Sequence, residues 1–181
     1  MKKIFLVVAA SFLFASVAFA TETKWTAGWS LLGEPLNYKK SFVSWSVNPT
    51  TSKLRVTFKL VGATPNKLYQ VSADFLCTTF PATFGQFPVF SNGGNCYAVT
   101  DQGVTVTMAA VQLGVVLTDL YGNGSFTVVV GPIAAGTYEL EFGAMNGAGC
   151  HLIGGGGNGN CVKDFQSPGP ILGDATTITI P

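Results

Sequence analysis

Residues 54–75 read LRVTFKLVGATPNKLYQVSADF. Leu54, Val56, Phe58 and Leu60 alternate with Arg55, Thr57 and Lys59, and Tyr69, Val71, Ala73 and Phe75 alternate with Gln70, Ser72 and Asp74. A period of two places one set of side chains on a core and the other in water, the pattern of a half-buried strand. Between the runs, Thr64-Pro65-Asn66 supplies turn chemistry, since proline presets φ and asparagine tolerates left-handed backbone. The alternation recurs at 104–108, 137–142 and 176–180, and further strands are expected over 41–47, 112–118 and 125–130. Asn123-Gly124 gives the strongest short hairpin signal, and Gly131-Pro132 and Ala135-Gly136 bracket the next turn. No amphipathic helix is expected beyond the first twenty residues. The reading is one all-β domain, an antiparallel sandwich of about 7–9 strands.

The 181-residue chain is 48% hydrophobic but only 10% charged, against about 25% charged in ordinary soluble domains. Part of that imbalance is local. Residues 1–20, MKKIFLVVAASFLFASVAFA, hold Lys2 and Lys3, then an uncharged apolar stretch, then Ala18-Phe19-Ala20. This is the layout of a cleaved secretory signal peptide, which leaves 21–181 as a single domain. Removal of the two lysines takes the net charge from +1 to −1, which argues against nucleic-acid binding and its basic footprint. No later run approaches the roughly 18 apolar residues of a membrane span, so no transmembrane anchor is expected after cleavage. Thr21 rather than cysteine follows the cleavage site, so no lipid anchor is indicated. The expected location is periplasmic or extracellular.

Three phrases carry a resemblance. Val61-Gly62-Ala63-Thr64-Pro65-Asn66-Lys67-Leu68-Tyr69 resembles the strand–turn–strand phrase of fibronectin-III-like and immunoglobulin-like sandwiches, in which the tyrosine points inward. Ala135-Gly136-Thr137-Tyr138-Glu139-Leu140 is similar to the opening of a late strand in the same group, and 112–130 is similar to a hairpin common in secreted bacterial sandwich domains. The resemblance spans 54–142 and implies an immunoglobulin-like fold. It implies no activity.

Four cysteines, Cys77, Cys96, Cys150 and Cys161, in an exported chain read as two disulfides. Of the three possible connectivities, proximity in sequence favours Cys77–Cys96 and Cys150–Cys161. Each closes a loop of unusual composition. Residues 77–96 carry Phe80, Phe84, Phe87 and Phe90, and the ten residues between Cys150 and Cys161 are half glycine. Gly154-Gly155-Gly156-Gly157-Asn158-Gly159 formally matches a dinucleotide-binding fingerprint, but cysteines flank it where a strand and a helix are needed.

Catalytic constellations are sparse. His151 is the sole histidine, beside Cys150, and no nucleophile-elbow motif is present. One histidine and paired cysteines leave no zinc or copper set, so neither metal nor cofactor is expected. Asp119-Leu120-Tyr121-Gly122-Asn123-Gly124 resembles the start of a calcium loop, but Tyr121 and Val130 stand where carboxylates are required. Glu139 and Glu141 share one face of a strand about 7 Å apart, a spacing open to a carboxylate pair but by default a solvated face. Asn123-Gly124-Ser125 is a glycosylation sequon whose turn role suffices.

The aromatic residues remain. Trp45 alternates with Val43 and Val47 and is expected in the core. Trp25 and Trp29, with Phe80, Phe84, Phe87 and Phe90, form the candidate binding surface. The functional expectation is a non-enzymatic structural or interaction module of the cell envelope or extracellular matrix. Such a module contacts proteins or copies of itself, and segment 21–33 is the candidate donor for strand addition. The alternative is a carbohydrate-binding module that stacks exposed aromatic rings on polysaccharide.

Overall fold

The computed structural model describes residues 20–28, 33–79, 97–101, 104–146, 152–153, 156–157, 162–169 and 176–181. Within them the chain is all-β, with no helix. The strands are β1 (Thr21–Lys24), β2 (Thr26–Ala27), β3 (Phe42–Asn48), β4 (Lys53–Leu60), β5 (Leu68–Leu76), β6 (Tyr97–Asp101), β7 (Val104–Leu117), β8 (Gly124–Val130), β9 (Gly136–Asn146), β10 (Leu152–Ile153), β11 (Gly156–Gly157), β12 (Lys163–Gln166) and β13 (Thr176–Ile180). They form two antiparallel sheets in a sandwich-like arrangement. The four-stranded sheet runs β1-β3-β4-β8, and the larger runs β2-β12-β9-β5-β7-β6 with β13 also paired to β9. The short pair β10-β11 stands apart.

The expected alternation builds the core. Leu54, Val56, Phe58 and Leu60 of β4 meet Tyr69, Val71, Ala73 and Phe75 of β5, and Tyr138, Leu140, Phe142, Ile178 and Ile180 join them. Apolar burial of this kind is worth about 25 cal/mol per Å² of surface removed from water. Aromatic rings interlock at its centre: Phe142 lies edge-on to Phe58 with centroids 5.7 Å apart, and Trp45 tilts against Phe142 at 5.8 Å. Trp45 and Tyr69 are therefore in the core, as the pattern predicts. At the start of β9 the Tyr138 hydroxyl donates back to the Ala134 carbonyl at 2.6 Å, the geometry of a tyrosine corner.

Three expectations are corrected. The two sheets hold more strand segments than the 7–9 anticipated, because β6 and β12 join the larger sheet and the N-terminal stretch divides at Trp25 into β1 and β2, one for each sheet. The Asn-Gly turn makes no hairpin. β7 pairs with β5 and β6, whereas β8 pairs with β4, so residues 118–123 cross from one sheet to the other. The outer faces of β5 and β9 are not wet. Gln70, Ser72, Asp74 and Glu141 are all buried, because the backbone at Gly169 presses on the Glu141 carboxylate and the Lys163 side chain lies against Gly143 and near Ser72. Cys96, Cys150 and Cys161, and with them both cysteine pairings, lie outside the described residues.

Candidate functional site

The outer face of the larger sheet concentrates charge where little is expected. Asp74 on β5 and Glu141 on β9 are direct cross-strand partners. Two like charges so placed repel unless something stands between them. Lys163, from β12 on the far side of β9, supplies it. Its ammonium nitrogen lies 2.5 Å from Asp74 Oδ2 and also bonds Glu141 Oε1. All three are shielded, with side-chain exposures of 12% for Lys163, 7% for Asp74 and 4% for Glu141. Burial alone lowers a lysine pKa, but here the facing carboxylates outweigh it and hold the Lys163 ammonium above its ordinary value. Two of the neighbours are apolar: Ala110 is registered opposite Asp74 and Met145 opposite Lys163, and both are buried. On the same sheet Gln70 Nε2, Ser72 Oγ and Gln166 Oε1 find no hydrogen-bond partner among the described residues.

A second charged cluster closes one end of the sandwich. Glu34 Oε1 accepts from Lys67 Nζ at 2.5 Å, while Oε2 accepts from Thr64 Oγ1 at 2.6 Å and from the Tyr69 hydroxyl at 3.0 Å. Burial pushes the Glu34 pKa up, but these three hydrogen bonds and the Lys67 charge outweigh it, and the net displacement is downward. Lys67 Nζ also sits 3.6 Å from Asp164 Oδ2 and 4.9 Å over the Tyr69 ring. Burial raises the Tyr69 hydroxyl well above its usual range, so it serves as a donor and not as an acid.

Two surface features complete the candidates. A groove of about 670 Å³ is lined by Lys24, Lys39, Lys40 and Lys59 around Phe42, with the Lys24 and Lys59 ammonium groups each 5.3 Å from the Phe42 ring centre. At one end of the larger sheet Leu68 and Leu117 are exposed cross-strand partners, and Leu117 (66% exposed) leads into exposed Leu120 and Tyr121 (75% exposed).

Of the aromatic binding surface read from sequence, only Trp25 lies among the described residues, and it does not face solvent. Trp25 is 2% exposed, with its ring stacked on Phe58 at 6.2 Å and its Nε1 donating to the Lys59 carbonyl at 3.1 Å. It belongs to the core and presents no face to a sugar. Trp29, Phe80, Phe84, Phe87 and Phe90 lie outside the described residues. Segment 21–33, the candidate donor, is already paired over 21–27: β1 lies along β3 and β2 along β12. The calcium-like loop is closed by its own backbone, with Asp119 Oδ1 accepting from the Tyr121 and Asn123 amides at 2.8 Å each. Those amide bonds, the Asn123 one foremost, hold the Asp119 pKa below its ordinary value. Glu141, read as half of a solvated pair with Glu139, is instead buried and bonded to Lys163. Sequence reasoning missed Lys163 because β12 is too short to show a period; the signal available was a lone Lys-Asp pair just past the glycine-rich stretch.

No protein-family model matches the chain, and no curated protein matches it. Among solved structures it is similar to a chain described under pH-induced modulation of Streptococcus parasanguinis adhesion by Fap1 fimbriae, at 10% identity and a TM-score of 0.31, over 82% of this chain and 87% of that one. The assignment to an all-β sandwich comes from this chain's own strand pairing.

Proposed function

We propose that this chain is a secreted, non-enzymatic structural or interaction module of the cell envelope or extracellular matrix, which associates with copies of itself by strand addition. The observation that carries this reading is β8. Its sequence GSFTVVV has no charge and no proline, and it hydrogen-bonds β4 on one side while its other side forms no ladder with any strand among the described residues. Val129 on it is 48% exposed. Natural sheets normally guard such an edge with lysine, proline or a bulge, and an unguarded one is a template for a second chain. Because β1 and β2 already occupy edge positions in their own sheets, β8 replaces segment 21–33 as the edge we assign to assembly.

Further parts of the proposal have their own support. The tyrosine corner at Tyr138 favours the immunoglobulin-like form of the sandwich. Cys77, just past the end of β5, is disulfide-bonded, which supports disulfide staples; proximity in sequence favours Cys96 as its partner, with Cys150–Cys161 as the second staple. The non-enzymatic reading is favoured by how the carboxylates are used: Asp74, Glu141 and Glu34 are bound to lysines, and Asp119 caps a turn.

Light scattering after size exclusion on residues 21–181 tests the assembly. The wild type is expected to form oligomers that grow with concentration, and Val129→Lys to return it to a monomer. A wild type that is monomeric at every concentration overturns the proposal. If that monomer instead retains a polysaccharide, the carbohydrate-binding alternative takes its place.

A further inference from the structure

The geometry points to an intramolecular amide: Lys163 Nζ condenses with the Asp74 carboxyl, and Glu141 carries the proton. This inference is independent of the assembly proposed above.

Three observations meet at this site. The first is distance. Lys163 Nζ stands 2.5 Å from Asp74 Oδ2, so the carboxyl carbon is at most one C–O bond farther. Near-attack geometry requires roughly 3–3.5 Å between reacting atoms. The second is the placement of Glu141. It lies on β9, between β12, which carries Lys163, and β5, which carries Asp74. It bonds the amine and faces Asp74 directly across the strand pair. A proton leaving the nitrogen and a proton needed by the departing oxygen therefore share one carrier. The third is shielding: the side chains of Lys163, Asp74 and Glu141 are 12%, 7% and 4% exposed. Buried Ala110, Met108 and Met145 flank the cluster on the same face, and Gly169 leaves no space for a side chain beside Glu141. A shielded site disfavours the charged pair relative to a neutral product and limits the access of water that would reverse the reaction.

The step balances without any co-reactant. One proton passes from the ammonium to the Asp74 carboxylate, which gives a neutral amine beside a neutral acid and leaves the charge of the cluster unchanged. The nitrogen lone pair attacks Cγ and the C–N bond forms. Glu141 takes a second proton from nitrogen and hands it to the departing hydroxyl, the C–O bond breaks, and water leaves. Glu141 begins and ends as a carboxylate. Ammonium and carboxylate become amide and water, and nothing is oxidised or reduced. The product ties β12 covalently to β5 across β9. Load arriving through β2 and β12 would then pass to the centre of the sheet through a covalent bond as well as through the ladder.

Intact mass spectrometry of the fully reduced, denatured protein tests this directly. The wild type is expected to be lighter than its sequence by one water, and proteolysis is expected to yield one branched peptide that joins the segments containing residues 74 and 163. Asp74→Ala is expected at full sequence mass. Glu141→Gln, which keeps the size of the side chain and the Lys163–Asp74 contact, is expected to be uncross-linked while eluting as a folded protein. A wild type at full sequence mass overturns the inference, whatever the variants do. A branched peptide through Glu141 instead of Asp74 overturns the assignment of roles, and so does Glu141→Gln that cross-links as fully as the wild type.

Discussion

Glu34 is the residue whose local chemistry gives the clearest outcome in solution. Its carboxylate takes hydrogen bonds from Lys67, Thr64 and Tyr69, and its pKa in the fold lies below the 4.5 it has when unfolded. A depressed carboxylate contributes stability above its unfolded value and loses that contribution as pH falls through the lower folded value. Denaturant unfolding of wild type and Glu34→Gln should therefore differ most at neutral pH, with the wild type more stable. The difference should shrink once pH drops below about 4.5. Parallel curves with a constant gap would show that neutral packing, and not the charge on Glu34, holds this end of the sandwich. None of this was legible from residue order. Glu34 lies in an irregular stretch with no period, and its partners are 30 or more positions away.

At the scale of the elements, alternation told which residues of β4, β5, β9 and β13 face the core, and that half of the reading holds down to Tyr69 and Ile178. It could not tell what covers the second face of a strand. Period two gives a polar row, such as Gln70, Ser72 and Asp74, and water is only the default occupant of the space above it. Here a lysine from a four-residue strand lies there instead. β7 shows a second limit. Its sequence reads as two short strands, but it is a single strand of 14 residues in which Val71 pairs with Gly114 and Ser72 with Gln112. Leu113 is the extra residue of a β-bulge. Gly114 adopts φ +156°, and the Phe126 ring from the opposite sheet occupies the place a Cβ would take. Gly114→Ala should cost about 1–3 kcal/mol through overpacking. Adding Phe126→Leu should recover part of that loss, which a double-mutant cycle in denaturant can read. Strictly additive costs would mean that the backbone conformation alone, and not the ring, demands glycine.

For the whole molecule, the decisive feature is how one short segment belongs to both sheets. β1 extends the smaller sheet along β3, β2 extends the larger along β12, and Trp25 between them turns inward onto Phe58. The crossing is tight. Thr26 Oγ1 donates to the Gln166 carbonyl at 3.0 Å, the Gly28 amide donates to the Asp164 carbonyl at 2.9 Å, and a Cβ on Gly28 would collide with the Lys163 backbone. The segment thus clasps the edges of two layers that otherwise meet through side chains and the turns between strands. Trp25→Ala would remove the largest buried ring of this clasp and the hydrogen bond to Lys59. Large-to-small changes of this kind cost about 3–5 kcal/mol, a large share of the roughly 5–15 kcal/mol that a domain has in total. Two further consequences separate a clasp from ordinary core filling. Freed β1 and β2 would uncover edges in both sheets, so the variant should associate more strongly than the wild type at equal concentration. Hydrogen exchange should also rise in β3 and β12, the strands each half covers, before it rises in β5. If Trp25→Ala lowers stability while exchange rises uniformly, Trp25 acts only as core volume, and the sheets hold together without the crossing segment.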